Sequence, residues 1–159
     1  MTKNRVNLLL AILAISVLGK NAYAQSLESP ANQKPPLEIT ADNSLEWYRT
    51  EQKLIASGNA KAEQAPSSIE ASTLTAHYRD GAKGGFEISE IFADENVILR
   101  SQESSAYGDN ANYNLDRGLA VMTGKNLRMV SPDQVVTAQD RFEYHVTKGK
   151  LLAIGNAVA

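Results

Sequence analysis

Residues 37–62 read LEITADNSLEWYRTEQKLIASGNAKA, and this stretch decides the fold. Ile-Thr-Ala-Asp at residues 39–42 is followed by short runs in which apolar and polar residues alternate, and then by Gly58-Asn59-Ala60. Alternation with a period of two is typical of half-buried strands, and a Gly-Asn pair suits a bend or bulge with positive φ. The stretch therefore predicts a strand, a bend, a strand, a hairpin and a third strand that bends again.

The same pattern returns near the C-terminus. Residues 136–157 carry Val-Thr-Ala-Gln, an alternating segment and Gly155-Asn156-Ala157, and they superpose on residues 39–60 without a gap. Looser copies run through residues 69–97 and 105–126. A repeat of this kind indicates one supersecondary unit stacked on itself, because a single unit cannot bury its apolar face alone. With turn residues between the runs, we expect an all-β, elongated stack of about 16 short antiparallel strands.

Length and composition exclude several classes of protein. The chain has 159 residues, which allows one ordinary domain and leaves no room for a TIM barrel. It has no cysteine, so disulfides, thiolate metal sites and cysteine nucleophiles are excluded. The formal net charge is -2 and no stretch clusters Lys or Arg, which argues against a nucleic-acid partner.

The N-terminus has the pattern of a secretory signal peptide. Lys3 and Arg5 precede an apolar run over residues 6–18, and Ala-Tyr-Ala at residues 22–24 supplies a small-x-small cleavage site. We predict a signal peptide over 1–24 with cleavage between Ala24 and Gln25, a flexible Pro-rich leader over 25–36 and one β domain over 37–159. The alternative is an uncleaved membrane anchor, although the apolar run is short against the roughly 20 residues that span a bilayer.

No constellation of residues predicts catalysis. Residues 118–125, GLAVMTGK, resemble a P-loop, but the spacing is wrong and Asn126 stands where Ser or Thr should bind magnesium. His77 and His145 lie at repeat-related places, and a two-histidine metal site is the sharper alternative to ordinary strand positions. No carboxylate lies at a short fixed spacing from either histidine, so we predict no catalytic residue, no metal and no cofactor.

The apolar interior is the remaining candidate site. An interior rich in Ala, Leu, Ile and Val is either filled by its own side chains or left as a trough for an apolar ligand. Alternation proposes the inward residues, each of which is either a groove residue that contacts an apolar ligand or plain core: Ile39, Leu45, Trp47, Leu54, Leu74, Tyr78, Ile88, Val97, Leu99, Val121, Leu127, Phe142, Tyr144 and Ile154.

Residues 37–62, with their later echo ending in GNAVA, resemble the OstA-like domain family of the lipopolysaccharide export system. The resemblance covers residues 37–159, and its most specific element is the pairing of I-T-A-D with G-N-A in one register in the first and last units. It implies a twisted, open β-jellyroll or sandwich whose apolar interior holds the lipid A acyl chains of lipopolysaccharide. It also implies periplasmic localisation and transport without catalysis.

The resemblance further implies partners at the sheet edges. Members of the family join edge to edge, as homo-oligomers and with the OstA-like domains of the inner-membrane and outer-membrane export components. Two other functions stay open at this stage. One is the membrane-anchored component of the same system, and the other is a self-assembling β-structural protein that transports no lipid.

Overall fold

A computed structural model describes residues 35–82 and 84–159, and within them the chain forms antiparallel strands with one short 3-10 turn at Val146–Lys148. The predicted signal peptide, its cleavage between Ala24 and Gln25, and all but the last two residues of the predicted leader lie outside the described residues. The strands are β1 Glu38–Thr40, β2 Ser44–Tyr48, β3 Lys53–Gln64, β4 Ser67–Asp80, β5 Phe86–Arg100, β6 Ser105–Asn114, β7 Leu119–Thr123, β8 Leu127–Val130, β9 Val135–Ala138, β10 Arg141–His145 and β11 Lys150–Ile154.

All of these strands belong to one sheet that divides into two halves. The main order is β1-β3-β4-β5-β6-β7-β10-β11, with β2 also beside β3 and with β8 and β9 extending from β6. Strands β3 to β6 are long and pass through both halves. Half-sheet I contains β2, one part of each long strand, β7, β10 and β11, and half-sheet II contains β1, the other part of each long strand, β8 and β9.

The halves meet along a line of backbone irregularities. The register between β3 and β4 shifts between Ser57 and Ala60, and the register between β5 and β6 shifts between Asp94 and Val97. Gly58, Asn59 and Asn96 have positive φ at these places, as expected for bulges that bend a sheet. The bend predicted at Gly58-Asn59 is therefore present, and it lies inside a continuous strand.

The all-β antiparallel fold is confirmed, whereas the predicted number of strands is too high. Eleven strands are present in the described residues, against about 16 expected from the sequence. The difference arises because β3 to β6 continue through their bulges, so two predicted short strands become one long strand.

The first and last repeat units build the same corner. Asn59 Nδ2 donates to Asp42 Oδ2 at 2.9 Å, and at the equivalent corner Asn156 Nδ2 donates to Gln139 Oε1 at 2.7 Å. The backbone bonds repeat as well, since Asp42 N–H donates to the Gly58 carbonyl and Gln139 N–H donates to the Gly155 carbonyl, both at 2.7 Å. The repeat in the sequence thus corresponds to a repeat in the hydrogen bonds.

One apolar cluster lies inside the bend and draws on both halves. Alanines at 56, 60, 71, 93, 111 and 138 are buried in it, so the backbones of the two halves approach closely near the corner. A Cβ on Gly108 would lie 2.6 Å from Met122 Cγ of half-sheet I and 3.0 Å from Leu127 Cδ2 of half-sheet II. No polar or charged residue is buried among the described residues. The inner faces therefore form a continuous apolar lining.

Candidate functional site: an apolar trough

The inner face of half-sheet I carries two unbroken rows of apolar or aromatic side chains. Strand pairing sets one row near the corner: Leu45, Ala56, Leu74, Ala93, Ala111, Met122, Phe142 and Ala153. The second row lies farther from the corner, toward the side of half-sheet I that we call the mouth, and several of its side chains are large. Its members are Trp47, Leu54, Ala76, Ile91, Tyr113, Ala120, Tyr144 and Leu151. Each row crosses eight strands, which at about 4.8 Å per strand gives a stripe about 34 Å wide.

Half-sheet II supplies the opposite wall. Its row of paired residues is Ile39, Ala62, Ile69, Leu99, Ala106, Met129 and Val136. The facing walls enclose the apolar interior of the sheet, and we call this interior the trough.

Most of the residues proposed from alternation lie on the inner face. Strand pairing and the shared core place twelve of the fourteen there: Ile39, Leu45, Trp47, Leu54, Leu74, Tyr78, Ile88, Val97, Leu99, Leu127, Phe142 and Tyr144. Leu74, Val97 and Leu127 are almost fully buried near the corner, so they pack as core. Trp47 and Tyr144 are 38% and 41% exposed, so they remain accessible from the mouth.

Val121 and Ile154 lie on the opposite, outer face, so their predicted inward orientation is wrong. Val121 pairs with Asn112 and Glu143, and Ile154 pairs with Arg141. Both residues belong to runs of four successive apolar positions, 119–122 and 151–154, in which alternation does not decide which positions point inward. The side chains that point inward from these strands are Ala120, Met122, Leu151 and Ala153.

An aromatic cluster lies at the mouth beside β2. Trp47 and Tyr78 meet edge to face with centroids 6.0 Å apart, and Trp47 Nε1 donates a 2.6 Å hydrogen bond to the Tyr78 hydroxyl. Phe86 packs 5.4 Å from Trp47 and 5.1 Å from Tyr78, yet it stays 47% exposed. Exposed aromatic surface next to an apolar lining is the pattern of a binding site for an apolar ligand.

A second pair of aromatic side chains lies toward β11. Tyr113 and Tyr144 flank Ala120 in the mouth row. Burial raises the pKa of Tyr113, and the neighbouring Tyr144 adds to this rise. The Tyr113 phenol is therefore neutral at physiological pH.

Sequence reasoning missed Phe86, Tyr113 and Leu151. Phe86 follows Gly84-Gly85 and lies two positions before Ile88, so the alternation could have been extended back to it. Tyr113 belongs to one of the loosest repeats. Leu151 is hidden by the apolar run described above. Their pairing with residues of the neighbouring strand shows that they point inward, and this pairing cannot be predicted from the sequence pattern.

Residues 35–82 and 84–159 hold no cluster of three or more His, Asp or Glu placed for a metal ion. His77 and His145 lie on the outer face, on strands β4 and β10 respectively. No helix in these residues is long and apolar enough to cross a membrane.

The two edges of the sheet are formed by the first and the last strands. Strands β1 and β2 both pair with β3 and form one edge. At the other edge, β11 pairs with β10, and Val158 bridges Thr137 of β9. The trough rows run from one edge strand to the other, so they reach both edges of the described sheet.

Comparison with known proteins agrees with this architecture. The model of a family described as LptA/(LptD N-terminal domain) LPS transport protein matches residues 38–156. An uncharacterized protein of Rhizobium meliloti (strain 1021) is 28% identical over 134 residues, which are 77% of this chain and 72% of that protein.

The fold also matches a crystal structure of LptH from Pseudomonas aeruginosa, described as the LptA homologous periplasmic component of the lipopolysaccharide transport device. The TM-score is 0.63 at 13% sequence identity, and the match covers 75% of this chain and 82% of LptH. At this identity the likeness establishes the fold.

Proposed function

The chain belongs to the family of LptA and LptD N-terminal domain proteins of lipopolysaccharide transport, and from that premise we propose that it is a periplasmic lipopolysaccharide carrier. In this proposal the lipid A acyl chains lie in the trough. The family is one of transport proteins and not a class of enzymes, so the chain's task is to shield lipid and not to transform it.

The observation that carries the proposal is the pair of apolar rows on the inner face, with exposed Trp47, Phe86 and Tyr144 at their mouth. Each methylene exposed to water costs about 0.8 kcal/mol, so one chain of a dozen carbons costs on the order of 10 kcal/mol to carry unshielded. A lining without buried polar groups can accept such chains without leaving a hydrogen bond unmade.

The proposal includes delivery to the periplasm and assembly there. The signal peptide expected over 1–24, cut between Ala24 and Gln25, would deliver the chain to the periplasm. The edges formed by β1 with β2 and by β11 would pair with like edges, in copies of this chain and in the OstA-like domains of the inner-membrane and outer-membrane components. Because the rows end at these edges, pairing would join troughs into a bridge.

Two neighbouring leucines of β11 allow a matched test of lipid binding. Leu151 pairs with Tyr144 on the inner face, whereas Leu152 pairs with Glu143 on the outer face, and both side chains are half-buried. Leu151→Asp should weaken the binding of lipid A to residues 25–159 at least tenfold, because a carboxylate would enter the apolar lining. Leu152→Asp should leave the affinity unchanged. Equilibrium titration with lipid A, with a two-chain phospholipid as competitor, measures both.

The results separate the candidate functions. Saturable binding that prefers lipid A and is lost only in Leu151→Asp supports the carrier. Absence of binding by the folded parent protein would overturn it and favour a β-structural protein that only self-assembles. N-terminal sequencing of the protein from periplasm tests the anchored alternative, since a chain beginning at Gln25 is the carrier and a chain that retains residues 1–24 is the anchored component.

A further inference from the structure

Turns between strands line the end of half-sheet I that lies farthest from the corner. Among them are the β2–β3, β6–β7 and β10–β11 turns, whose residues we call rim I: 49–53, 115–118 and 146–150. The charged side chains of rim I are mostly basic: Arg49, Lys53, Arg117, Lys148, Lys150, Glu51 and Asp116. Both acidic side chains are already in ion pairs, Glu51 with Lys53 and Asp116 with Arg79. Rim I therefore keeps an excess of positive charge.

The corresponding end of half-sheet II has the opposite charge. Its β3–β4, β5–β6 and β8–β9 turns contain the residues that we call rim II: 63–67, 100–105 and 130–135. The basic residue of rim II, Arg100, is paired with Glu70. Glu103 and Asp133 are exposed there and add negative charge. An anion near the trough is therefore attracted to rim I and repelled from rim II.

One cation of rim I lies against the apolar lining. The guanidinium carbon of Arg49 is 5.2 Å from the centroid of the Trp47 ring, which belongs to the mouth row. No ion pair in the described part of the chain includes Arg49. The Trp47 ring is held in place by its hydrogen bond to the Tyr78 hydroxyl and by its edge contact with Phe86. Because stacking uses the face of a guanidinium, the N–H donors in its plane stay available to an oxyanion where the lining meets water.

A second group of cations lies farther along rim I. The β6–β7 turn contacts the β10–β11 turn, since the Val146 N–H donates a 2.8 Å hydrogen bond to the Gly118 carbonyl. These two turns carry Arg117 and Lys148, and both side chains are exposed. Tyr144 of the mouth row precedes the second turn on β10. Four strand spacings separate this group from Arg49, which is about 19 Å along the sheet.

We propose that rim I binds the phosphorylated sugar headgroup of the lipid whose acyl chains lie in the trough, with Arg49 as the principal contact and Arg117 and Lys148 as further contacts. This inference rests on the proposed carrier function and adds a headgroup site to it. A guanidinium suits a phosphate because two parallel N–H donors can bind two of its oxygens. The unequal charge of the two rims places the headgroup over half-sheet I, so the lipid has one orientation across the trough.

Lipid A with and without its phosphates tests the headgroup site. Diphosphoryl lipid A and dephosphorylated lipid A with the same acyl chains are titrated separately into the protein at low salt. We expect the phosphorylated lipid to bind about tenfold more tightly, because several exposed charge contacts add together. This preference should fall as sodium chloride rises from about 0.05 to 0.5 M, since exposed charges are screened. Equal affinity for the two lipids would overturn the proposal.

A second arginine supplies a matched control. Arg128 is exposed and lies 4.5 Å from the centroid of the Tyr107 ring, but both side chains are on the outer face of half-sheet II. Arg49→Gln should weaken the binding of diphosphoryl lipid A about fivefold and leave that of the dephosphorylated lipid within about twofold. Arg128→Gln should change neither affinity. Arg49→Lys should keep most of the preference for phosphate, because the positive charge is retained.

The further contacts are tested together. Arg117→Gln with Lys148→Gln should also reduce the preference for the phosphorylated lipid, and circular dichroism shows whether each variant is folded. Inorganic phosphate is the probe for a free anion. If it bound the parent as tightly as the lipid does and Arg49→Gln lost that binding, rim I would be a site for free phosphate and the headgroup assignment would be wrong.

The same titrations separate this inference from the carrier function. Loss of phosphate preference in Arg49→Gln and not in Arg128→Gln supports the headgroup site. Equal losses in these two variants overturn it, while binding of dephosphorylated lipid A by the parent leaves the carrier standing. Failure of the folded parent to bind either lipid overturns the carrier and the headgroup site together.

Discussion

Single glycines at the corners hold positions that other residues cannot take. Gly58 has φ +85°, and a Cβ there would lie 2.4 Å from Asn43 Cγ. Gly155 repeats the arrangement with φ +88° and a Cβ position 2.4 Å from Asp140 Cγ. Both the conformation and the contact therefore require glycine, and the polar side chain that covers each glycine helps to fix the bend.

Comparing alanine substitutions at Gly58 and Gly149 should separate the cost of the left-handed conformation from the cost of the close contact. We expect Gly58→Ala to lower the free energy of unfolding by about 2–4 kcal/mol, since the left-handed conformation alone costs about 1–2 kcal/mol and the clash adds to it. Gly149→Ala is the control, because Gly149 has φ +57° with nothing within 4 Å of its Cβ position. Urea unfolding followed by Trp47 fluorescence gives both values, and an equal loss in the two variants would show that the contact is unimportant.

Inward orientation is predictable from the sequence where polar residues interrupt the apolar ones. Leu74 and Tyr78 alternate with threonine, histidine and arginine, and both point inward as predicted. Val121 and Ile154 lie in runs without that contrast, so the pattern did not show which of the two faces points inward. Only the pairing with neighbouring strands fixes orientation there, and pairing is a property of distant parts of the chain.

The elements of half-sheet I are joined at the mouth by an ion pair. Arg79 at the end of β4 donates to both oxygens of Asp116 in the β6–β7 turn, at 2.6 and 2.8 Å. Glu87 of β5 lies 3.5 Å from the same guanidinium. The hydrogen bonds from Arg79 hold the pKa of Asp116 below its usual value of 3.8, and they raise the pKa of Arg79. Three elements are thereby tied at one exposed point.

The stabilisation from Asp116 should depend on pH in a defined direction. Because its pKa is lower in the folded state, the contribution is complete above the unfolded pKa of about 3.9 and is lost as pH falls through the folded value. The difference in stability between the parent and Asp116→Asn should therefore be constant near pH 7 and vanish in acid. Glu87→Gln should cost less, since its contact is longer. A difference that grows below pH 4 would contradict this assignment, and urea unfolding from pH 2 to 7 measures it.

At the scale of the whole molecule, strands β3 to β6 belong to both halves, so neither half has a core of its own. We expect the two halves to unfold together. Amides of residues 53–57 in half-sheet I and of residues 61–64 in half-sheet II should exchange hydrogen with the same opening free energy in low urea. Mass spectrometry of the corresponding peptides measures this. Loss of protection in one half at a lower urea concentration would show two independent units.

The fold class could be predicted from the sequence because the repeat shows which residues occupy equivalent positions. The unit at residues 39–60 and its echo at 136–157 mark equivalent corners, and the same hydrogen bonds appear in both. The number of strands could not be read, because a Gly-Asn bend inside a strand and a Gly-Asn turn between strands have the same local sequence. What distinguishes them is whether the ladder resumes beyond the bend, as it does at Ala60.

The line of corners also determines how the molecule can deform. Bulges interrupt the ladder between the halves, so few ladder hydrogen bonds cross this line and rotation about it disturbs few of them. The line acts as a hinge whose two leaves are the half-sheets. If lipid lies between the half-sheets as proposed, a larger angle between them would admit a wider ligand while every row keeps its register. Under that function we expect the protein to adapt to the width of the bound lipid and not to its length.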